Sequence, residues 1–482
     1  MTKISFDSED EMYMASSWIS IIPFLVVIPI AIWTKQVLPG LTIGLIVASY
    51  LIEPSVVGGI EQMITYLVGS LSNENNMKII IFLYAFSGLI GMIKMAGGIK
   101  GFVESVSNRI KTKKGALFLT WISTLGTFTA PSLRVVTIAP IMKALLQRVK
   151  MSKQELGFVI ETTATPVVVL IPIATAYVGY MTSVIEMAFK NEGIKEDAYS
   201  LFIQSIPFNF FAIVMVLLGL YLSFFHRSKD KTMGSSEETE ENEEKGWHDC
   251  HPAVAKELPS KPLNLLVPLI LVLGLTLFLT WWSGRDKANS LVQAFIKADT
   301  LGAMVIALVI TVFVSLLIFL FQKMPLKEVI GHFITGGNEL MAVIILLAVV
   351  WGLSTATEEL GFSAFITENL GWIPELFVAP VLFLFGILIS YFIGSSWGAW
   401  GILMPLGISL AHASGASLPI VIGAVFASGS FGAFASPLSD TAVTISTILK
   451  LPVMEYSRYK LKPAMIAAGI SVVLYSVVTF IF

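Results

Sequence analysis

The chain has 482 residues, of which 55% are hydrophobic and only 13% are charged. A soluble domain carries about 25% charged residues, so this composition and a mean hydropathy of +0.80 exclude a soluble protein and indicate a polytopic membrane protein. The formal net charge of −2 carries no information about partners. We expect the lipid bilayer as a partner, and no nucleic acid.

The cysteine count and the absence of one motif exclude several kinds of site. The only cysteine is Cys250, which excludes an intramolecular disulfide and a cysteine-based metal site. The sequence lacks the GxxxxGK[ST] phosphate-binding loop of nucleotide-driven motors, and its mid-membrane polar residues show no catalytic triad or metal-ligand spacing. We therefore expect a protein that is not an enzyme and has no cofactor or resident metal. Energy for transport would come from an ion gradient or be supplied by another subunit.

Apolar segments close to a membrane span in length recur along the whole chain. They lie at residues 18–34, 37–52, 77–93, 115–147, 155–189, 201–225, 262–283, 299–322, 338–357, 375–413, 418–450 and 463–482. About 20 helical residues cross a bilayer, so segments 115–147, 155–189, 375–413 and 418–450 are long for one simple span. All four contain internal Pro, Gly or polar clusters, which predicts hairpins or broken helices.

Basic residues orient these segments, because Lys and Arg accumulate on the cytoplasmic side of a membrane. The basic clusters are Arg109–Lys114, Lys143–Lys153, His226–Lys231, Lys323–Lys327 and Lys450–Lys462. Placing all of them in the cytoplasm makes segment 115–147 a re-entrant hairpin with its tip near "TFTAPSLR". It makes segment 375–413 a second hairpin with its tip near "GSSWGAWG". The prediction is about ten transmembrane helices plus two re-entrant hairpins, with both termini outside.

The order of the elements repeats with the opposite orientation. A span, a hairpin, a long span and a span occur within residues 77–225 and again within residues 338–482. Inverted repeats with paired broken segments are typical of secondary transporters that bind their substrates at the midplane. We predict an all-α polytopic membrane protein with two inverted-topology repeats. Residues 1–225 would hold the first repeat with the N-terminal spans, residues 226–261 a hydrophilic cytoplasmic linker, and residues 262–482 the second repeat.

The first candidate break is "ETTATPVVVLIP". Ser152 and Glu155 form a capping-box pattern that predicts a helix start. Glu161 lies nine residues after Ser152, which places it about 13 Å deep at helical rise. Pro166 then interrupts the helical hydrogen bonds. Oxygen atoms for a hard cation or a polar substrate would come from Glu161, Thr162, Thr163 and Thr165. The alternative is that Glu161 is protonated and bonded to a neighbouring helix.

The second candidate break is "FASPLSDTAVTIST". Asp440 lies ten residues before Lys450, about 15 Å deep at helical rise, and Pro437 opens the backbone before it. Supporting hydroxyl groups would come from Ser436, Ser439, Thr441 and Thr444. An intramembrane carboxylate is costly unless it is paired, hydrated or protonated, so a functional role is the default interpretation. Of the 17 residues from Gly423 to Ser439, 11 are Gly, Ala or Ser, which predicts close helix packing upstream.

The hairpin tips supply a second set of candidates. Arg134 at the first tip stays charged when buried, so it could pair with Glu161 or Asp440 or hold a substrate carboxylate. If it lies near the interface, it is instead a snorkelling residue. The second tip offers hydroxyl groups and a possible aromatic wall from Ser395, Ser396 and Trp397.

With these motifs in hand, the chain resembles the NhaC-type Na⁺/H⁺ antiporter family, within the larger group of ion transporters built on two inverted hairpin-containing repeats. The resemblance spans nearly the whole chain and is strongest in "GSSWGAWGILMP", "FGAFASPLSDT" and "KQELGFVIETTATPVVVLIP". It implies a bacterial or archaeal inner-membrane protein that exchanges Na⁺ and H⁺ or small organic acids such as malate and lactate. It also implies that a homodimer is possible.

The chain departs from the family pattern at several acidic positions. In the family motif F-G-D-H-x-S-P-x-S-D-T, Ala433 and Phe434 stand where the first acid and the histidine are expected. Glu161 stands where the family has aspartate, Arg134 where it tends to have asparagine, and the acidic pair of the first hairpin is absent. Relative to the family, several carboxylates are lost and one positive charge is gained, which favours an organic anion or an amino acid over bare Na⁺.

Two functions follow from these residues. The first is a secondary active transporter that exchanges Na⁺ and H⁺, with Na⁺ possible at Asp440 and Glu161. Supporting oxygens would come from Thr162, Thr165, Ser436, Ser439 and Thr441. The alternative is a Na⁺- or H⁺-coupled transporter of a small organic acid or amino acid, with Arg134 holding the substrate carboxylate and Ser395, Ser396 and Trp397 lining the site.

Overall fold

The computed structural model describes most of the hydrophobic chain. The described residues are 18–98, 100–101, 112–128, 151–173, 175–225, 261–287 and 298–481, together with Pro131, Ser132, Arg134, Val135, Ile138, Ala139, Met142, Lys143 and Leu146. The predicted linker 226–261 lies outside these residues except for Lys261, so the proposed domain boundaries stay predictions.

The described residues before position 226 are helical, with short connections. The α-helices are α1 (Ile22–Thr34), α2 (Val37–Ile52), α3 (Val56–Leu71), α4 (Glu74–Met95), α5 (Lys113–Ile122), α6 (Thr124–Thr127), α7 (Lys153–Thr162), α8 (Thr165–Val168), α9 (Ala176–Asn191), α10 (Ala198–Ser205) and α11 (Phe210–Phe224). Short 3₁₀ turns precede α1 and follow α10.

The described residues after position 260 are helical as well. The α-helices are α12 (Leu263–Gly284), α13 (Thr300–Phe321), α14 (Leu326–Asn338), α15 (Met341–Glu359), α16 (Phe362–Leu370), α17 (Glu375–Ile393), α18 (Ser396–Ser414), α19 (Leu418–Ala435), α20 (Asp440–Leu449) and α21 (Val453–Ile481). The described chain contains no β-strand, so the prediction of an all-α polytopic membrane protein is confirmed.

Seven helices in the described part of the chain are long and apolar enough to cross a membrane. The pair formed by Ala198–Phe208 and Phe210–Phe224, bent by 45°, brings the number to eight. Three shorter apolar helices occur near the start of the chain, at Trp18–Thr34, Val37–Ile52 and Val56–Leu71. The predicted number of about ten spans and the inverted relation of the repeats stay predictions.

The small residues upstream of Asp440 permit close packing, as the sequence predicts. Helix α19 lies against α17, and the hydroxyl of Ser390 donates to the carbonyl of Ser428 at 2.7 Å. A Cβ atom at Gly432 would lie 2.3 Å from the backbone of Ser390, which shows that only glycine fits there. This contact anchors the second hairpin against the broken span.

Segments 155–189 and 418–450 are both broken where the sequence predicts. Segment 155–189 consists of α7, α8 and α9, and the hydroxyl of Ser152 accepts from the backbone N–H of Glu155 at the start of α7. Segment 418–450 consists of α19 and α20, with non-helical backbone at Ser436–Ser439. The hydroxyl of Ser439 caps α20 by accepting from the N–H of Ala442 at 3.2 Å.

Candidate functional site

A cavity of about 430 Å³ leads to Asp440. Its mouth includes Lys35 and Gln36, between α1 and α2, and Glu339, between α14 and α15. Its inner end includes Trp397 of the second hairpin tip and Asp440. The cavity therefore connects one face of the helix bundle with the second break.

A smaller cavity of about 30 Å³ adjoins the same carboxylate. Its lining comes from both predicted hairpin tips and both breaks: Pro131, Ser132, Thr165, Tyr177, Gly394, Ser395, Ser396, Trp397, Ala433, Ser439, Asp440 and Thr441. A water molecule needs roughly 10–15 Å³ of such space, so this volume accommodates a small ion or one or two water molecules. The two hairpin tips and the two breaks thus contribute to one cavity.

Asp440 is the first residue of α20 and follows the unwound stretch Ser436–Ser439. The partial positive charge at a helix N-terminus favours a carboxylate at this position. The side chain is exposed towards the cavity, and the hydrogen bonds within the described part of the chain include none to its carboxylate. The Asp440 carboxylate is thus open to the cavity.

The hydroxyl groups near Asp440 divide into two roles. Thr165, Ser439 and Thr441 line the small cavity, and Thr441 also donates to the carbonyl of Ala433 at 3.3 Å. Ser436 is fully buried, and its hydroxyl accepts from the N–H of Leu438 at 3.1 Å. Ser436 therefore holds the unwound turn in shape rather than facing the cavity.

The second hairpin turns at Gly394 and Ser395, within the predicted tip. Gly394 has φ of +74°, and a Cβ atom there would lie 2.7 Å from the backbone of Leu438. Ser395 begins α18 by accepting from the N–H of Gly398 at 3.4 Å. The hydroxyl of Ser396 donates to the carbonyl of Gly429 at 3.3 Å. The tip thus rests directly on the second break.

Aromatic side chains pack together beside Asp440, where Tyr177 and Trp397 line both cavities. The ring of Trp397 lies 4.6 Å from that of Tyr177 and 5.0 Å from that of Tyr180, measured between centroids. The hydroxyl of Tyr180 donates to the carbonyl of Trp397. Trp400 packs against Tyr177 at 4.9 Å. These edge-to-face contacts stabilise a close-packed wall between α9 and α18.

Glu161 lies in a separate, closed environment. Its side chain is 1% exposed, and both carboxylate oxygens contact the ammonium of Lys460, at 2.9 and 3.0 Å. The hydroxyl of Tyr456 donates to the same carboxylate. Glu161 is therefore bonded to a neighbouring helix, and its partners there are an ammonium group and a hydroxyl.

Lys460 and Tyr456 were not among the residues predicted from sequence. Lys460 belongs to the basic cluster that the topology prediction places in the cytoplasm, but its side chain is fully buried. It is 299 positions from Glu161, so no local pattern links them. The available signal is the four-residue spacing of Tyr456 and Lys460, which puts both on one helix face.

Arg134 is also buried, and its described hydrogen bonds go to neutral groups. Its guanidinium donates to the hydroxyls of Thr127 at 2.7 Å, Thr163 at 2.6 Å and Ser123 at 3.3 Å, and to the carbonyl of Thr120 at 2.5 Å. Arg134 does not line either cavity at Asp440. Its hydrogen bonds link α5 and α6 to the first break.

Thr162 does not line either cavity at Asp440. It is fully buried, and its hydroxyl has no hydrogen-bond partner among the described residues. Its methyl group faces Gly219, where a Cβ atom would lie 2.4 Å away.

The predicted residues that meet at the cavities are Asp440, Thr165, Ser439, Thr441, Ser395, Ser396 and Trp397. Those that lie outside them are Glu161, Thr162, Ser436 and Arg134.

One carboxylate surrounded by hydroxyl oxygens is suited to binding a hard monovalent cation or a proton. Within the described residues, no group of three or more His, Cys, Asp or Glu side chains is arranged to hold a resident metal ion.

The sequence matches the model of the Na⁺/H⁺ antiporter family over residues 167–480. A Haemophilus influenzae relative that carries the name "Uncharacterized protein" is 23% identical over 485 residues, covering 97% of this chain and 92% of the relative. The malate-2H(+)/Na(+)-lactate antiporter of Bacillus subtilis is 30% identical over 181 residues, covering 37% of this chain and 38% of the relative.

Two solved transporters share the fold. MtrF of Neisseria gonorrhoeae, described as illuminating a class of antimetabolite efflux pumps, aligns with a TM-score of 0.64 and 11% identity, covering 89% of this chain and 85% of MtrF. The YdaH transporter of Alcanivorax borkumensis aligns with a TM-score of 0.55 and 14% identity, covering 87% of this chain and 88% of YdaH. At these identities the likeness concerns the fold alone.

Proposed function

We propose that this chain, which belongs to the Na⁺/H⁺ antiporter family and is a multi-pass secondary transporter, exchanges Na⁺ and H⁺ at Asp440. The observation that carries the proposal is the position of the Asp440 carboxylate. It faces a cavity open to one side of the bundle and adjoins a second cavity lined by Thr165, Ser439 and Thr441. Its carboxylate has no hydrogen bond within the described part of the chain, so it is free to take an ion.

Exchange follows from competition for one carboxylate. Na⁺ binds the ionised form, whereas a proton neutralises the group and removes the electrostatic attraction for Na⁺. The hydroxyl oxygens of Ser439 and Thr441 would replace part of the hydration shell of the ion. Lys35, Tyr177 and Glu339 are the other titratable groups that line the larger cavity, and the two charged ones lie at its mouth. Asp440 is therefore the group whose charge changes during exchange.

The predicted topology indicates the side of the membrane to which the cavity opens. Lys35 and Glu339 lie in connections that the positive-inside rule places in the cytoplasm, so the cavity would open inwards, towards the cytoplasm. The wall formed by Tyr177, Tyr180 and Trp397 would then separate Asp440 from the outside. In this proposal the protein resides in the cytoplasmic membrane of a bacterium or archaeon, with the linker in the cytoplasm and possible pairing into homodimers.

Proteoliposomes loaded with a pH-sensitive dye test this proposal. A Na⁺ gradient should drive proton movement with the native protein, and Asp440→Asn should abolish it, because an amide neither ionises nor binds a proton. Asp286→Asn is the matched control, since Asp286 is 83% exposed in the short turn after α12. Native flux in Asp440→Asn would remove Asp440 from the mechanism.

A second candidate is the transport of a small organic acid coupled to Na⁺ or H⁺. The volume of about 430 Å³ exceeds what a bare ion needs and falls in the usual range of ligand pockets. The Bacillus subtilis relative is named as a malate and lactate antiporter. Arg134 does not line this cavity, so in the alternative function its guanidinium would have to leave its hydroxyl partners to reach a substrate.

Uptake of labelled malate, lactate and amino acids separates the two candidates. Arg134→Gln and Lys35→Gln are compared, because Lys35 lines the cavity and Arg134 does not. If a carboxylate is carried, Lys35→Gln should weaken its uptake more than Arg134→Gln does. Absence of uptake for the whole panel, with Na⁺-driven proton flux retained, would eliminate the second candidate.

A further inference from the structure

The ion pair of Glu161 and Lys460 has no part in the exchange proposed for Asp440. It lies in the first break, at the position where the sequence pattern predicts an ion-binding carboxylate. Lys460 belongs to α21, the last helix, and its side chain is fully buried. A buried ion pair with this geometry contributes little to stability compared with apolar side chains. Its presence therefore calls for another explanation.

The Lys460 ammonium has the surroundings of a bound monovalent cation. It contacts both oxygens of Glu161 at 2.9 and 3.0 Å. It also lies 5.1 Å from the ring centroid of Tyr456 and 5.5 Å from that of Phe434, distances at which aromatic faces attract a cation. Phe434 belongs to α19, two residues before the second break. The ammonium thus lies between the two broken helices.

We propose that Lys460 is a tethered cation that permanently occupies the ion position of Glu161. Only Asp440 then exchanges ions with the surrounding solution. This inference rests on the proposed function and deepens it, because it assigns a residue that sets how many cations the transporter carries. A Na⁺ ion at Glu161 would have to displace an ammonium that the chain holds within bonding distance.

The positions of the two carboxylates relative to the cavities support this assignment. Asp440 lines both cavities, whereas Glu161 lines neither of them. Tyr456 donates its hydroxyl proton to Glu161, so the carboxylate accepts from two groups of this chain. Glu161 is therefore satisfied without an external ion, and Asp440 is not.

Counting bound ²²Na⁺ on purified, detergent-solubilised protein tests the assignment. We expect one saturable Na⁺ per chain in the native protein and one more in Lys460→Met, because Glu161 would lose its internal cation. The additional site should disappear in the double variant Glu161→Gln/Lys460→Met, which returns to the native count. A folded Lys460→Met protein that binds no more Na⁺ than the native protein would overturn the inference.

The double variant also decides the question if Lys460→Met alone does not fold, since it leaves neither charge unpaired. It should keep the native Na⁺ count and the native rate of exchange, and loss of either would overturn the inference, because the pair would then handle a transported ion itself. The proposed function is judged separately, by the difference between native protein and Asp440→Asn. If Asp440→Asn binds less Na⁺ than the native protein and Lys460→Met binds no more, only the inference about Lys460 as a tethered cation is rejected.

Discussion

The first and second breaks share several sequence features, but their carboxylates have different surroundings. In both, a serine caps the helix that carries the carboxylate, and a proline lies within five residues of the acid. In the first break, Glu161 is 1% exposed and paired with Lys460, and Arg134 bonds to Thr163. In the second break, Asp440 faces a cavity.

This difference teaches that an intramembrane acid is not by itself an ion site. The same cost of burying a carboxylate is offset in two ways: by a cation of the chain itself at Glu161, and by access to the cavity at Asp440. In the proposed exchange, only the second arrangement lets the charge change during a cycle. Substitutions at one break, each compared with a matched position, test this difference.

Glu161→Gln should have the largest effect on stability. The variant leaves the Lys460 ammonium buried without its counterion, and breaking such a pair costs about 3–5 kcal/mol. Glu155→Gln is the control on the same helix, because Glu155 pairs with Lys113 at 2.7 Å and Lys113 is 31% exposed. The ammonium left without its partner can then reach water, so we expect a smaller loss of stability. Thermal unfolding in detergent measures both, and equal shifts would show that Glu161 is not an obligatory partner.

Ala433→Lys should convert the second break into a copy of the first. Ala433 lines the small cavity beside Asp440, so an ammonium there would compete with Na⁺ for the carboxylate. We expect Na⁺ affinity to fall by about 100-fold, equal to about 2.7 kcal/mol. Ala433→Met controls for side-chain length. Na⁺-dependent thermal stabilisation reports the affinity, and an equal loss in both variants would indicate crowding rather than charge.

Gly394→Ala should loosen the contact between the second hairpin and the second break. Gly394 has φ of +74° and no room for a Cβ atom beside Leu438, so we expect a loss of roughly 2 kcal/mol from the left-handed backbone and the clash together. Gly415, at the other end of α18, has φ of +77° and open space around it. Gly415→Ala should therefore lose only about 1 kcal/mol, and chemical or thermal unfolding compares the two.

Ser439→Ala and Ser152→Ala should have the smallest effects and differ in kind. Each removes the hydroxyl that caps the helix carrying a carboxylate, which costs about 1 kcal/mol of stability. Only Ser439 lines the small cavity, so only Ser439→Ala should also weaken Na⁺ binding. The pair is compared by thermal shift with and without Na⁺. An equal Na⁺ response in the two variants would place Ser439 outside the ion site.

Local features of the chain were predicted well from the sequence. Composition determined the membrane class, because only a lipid environment accommodates such a hydrophobic chain. Ser152, Pro166, Pro437 and Ser439 determined where helices start and break, since capping and the missing proline N–H act within a few residues. The run of small residues before Asp440 determined the close contact of α19 with α17.

The tertiary structure alone decided which of the two carboxylates is open. Lys460 follows Glu161 by 299 positions and looks from its neighbours like part of a cytoplasmic basic cluster. Arg134 could have faced a substrate, but its described hydrogen bonds go to neutral oxygens of the first hairpin and first break. Helix starts and breaks depend on neighbours in sequence, whereas the charge that neutralises a buried acid depends on which helices pack together. For that reason the sequence located two similar acids, and the packing of α21 distinguished them.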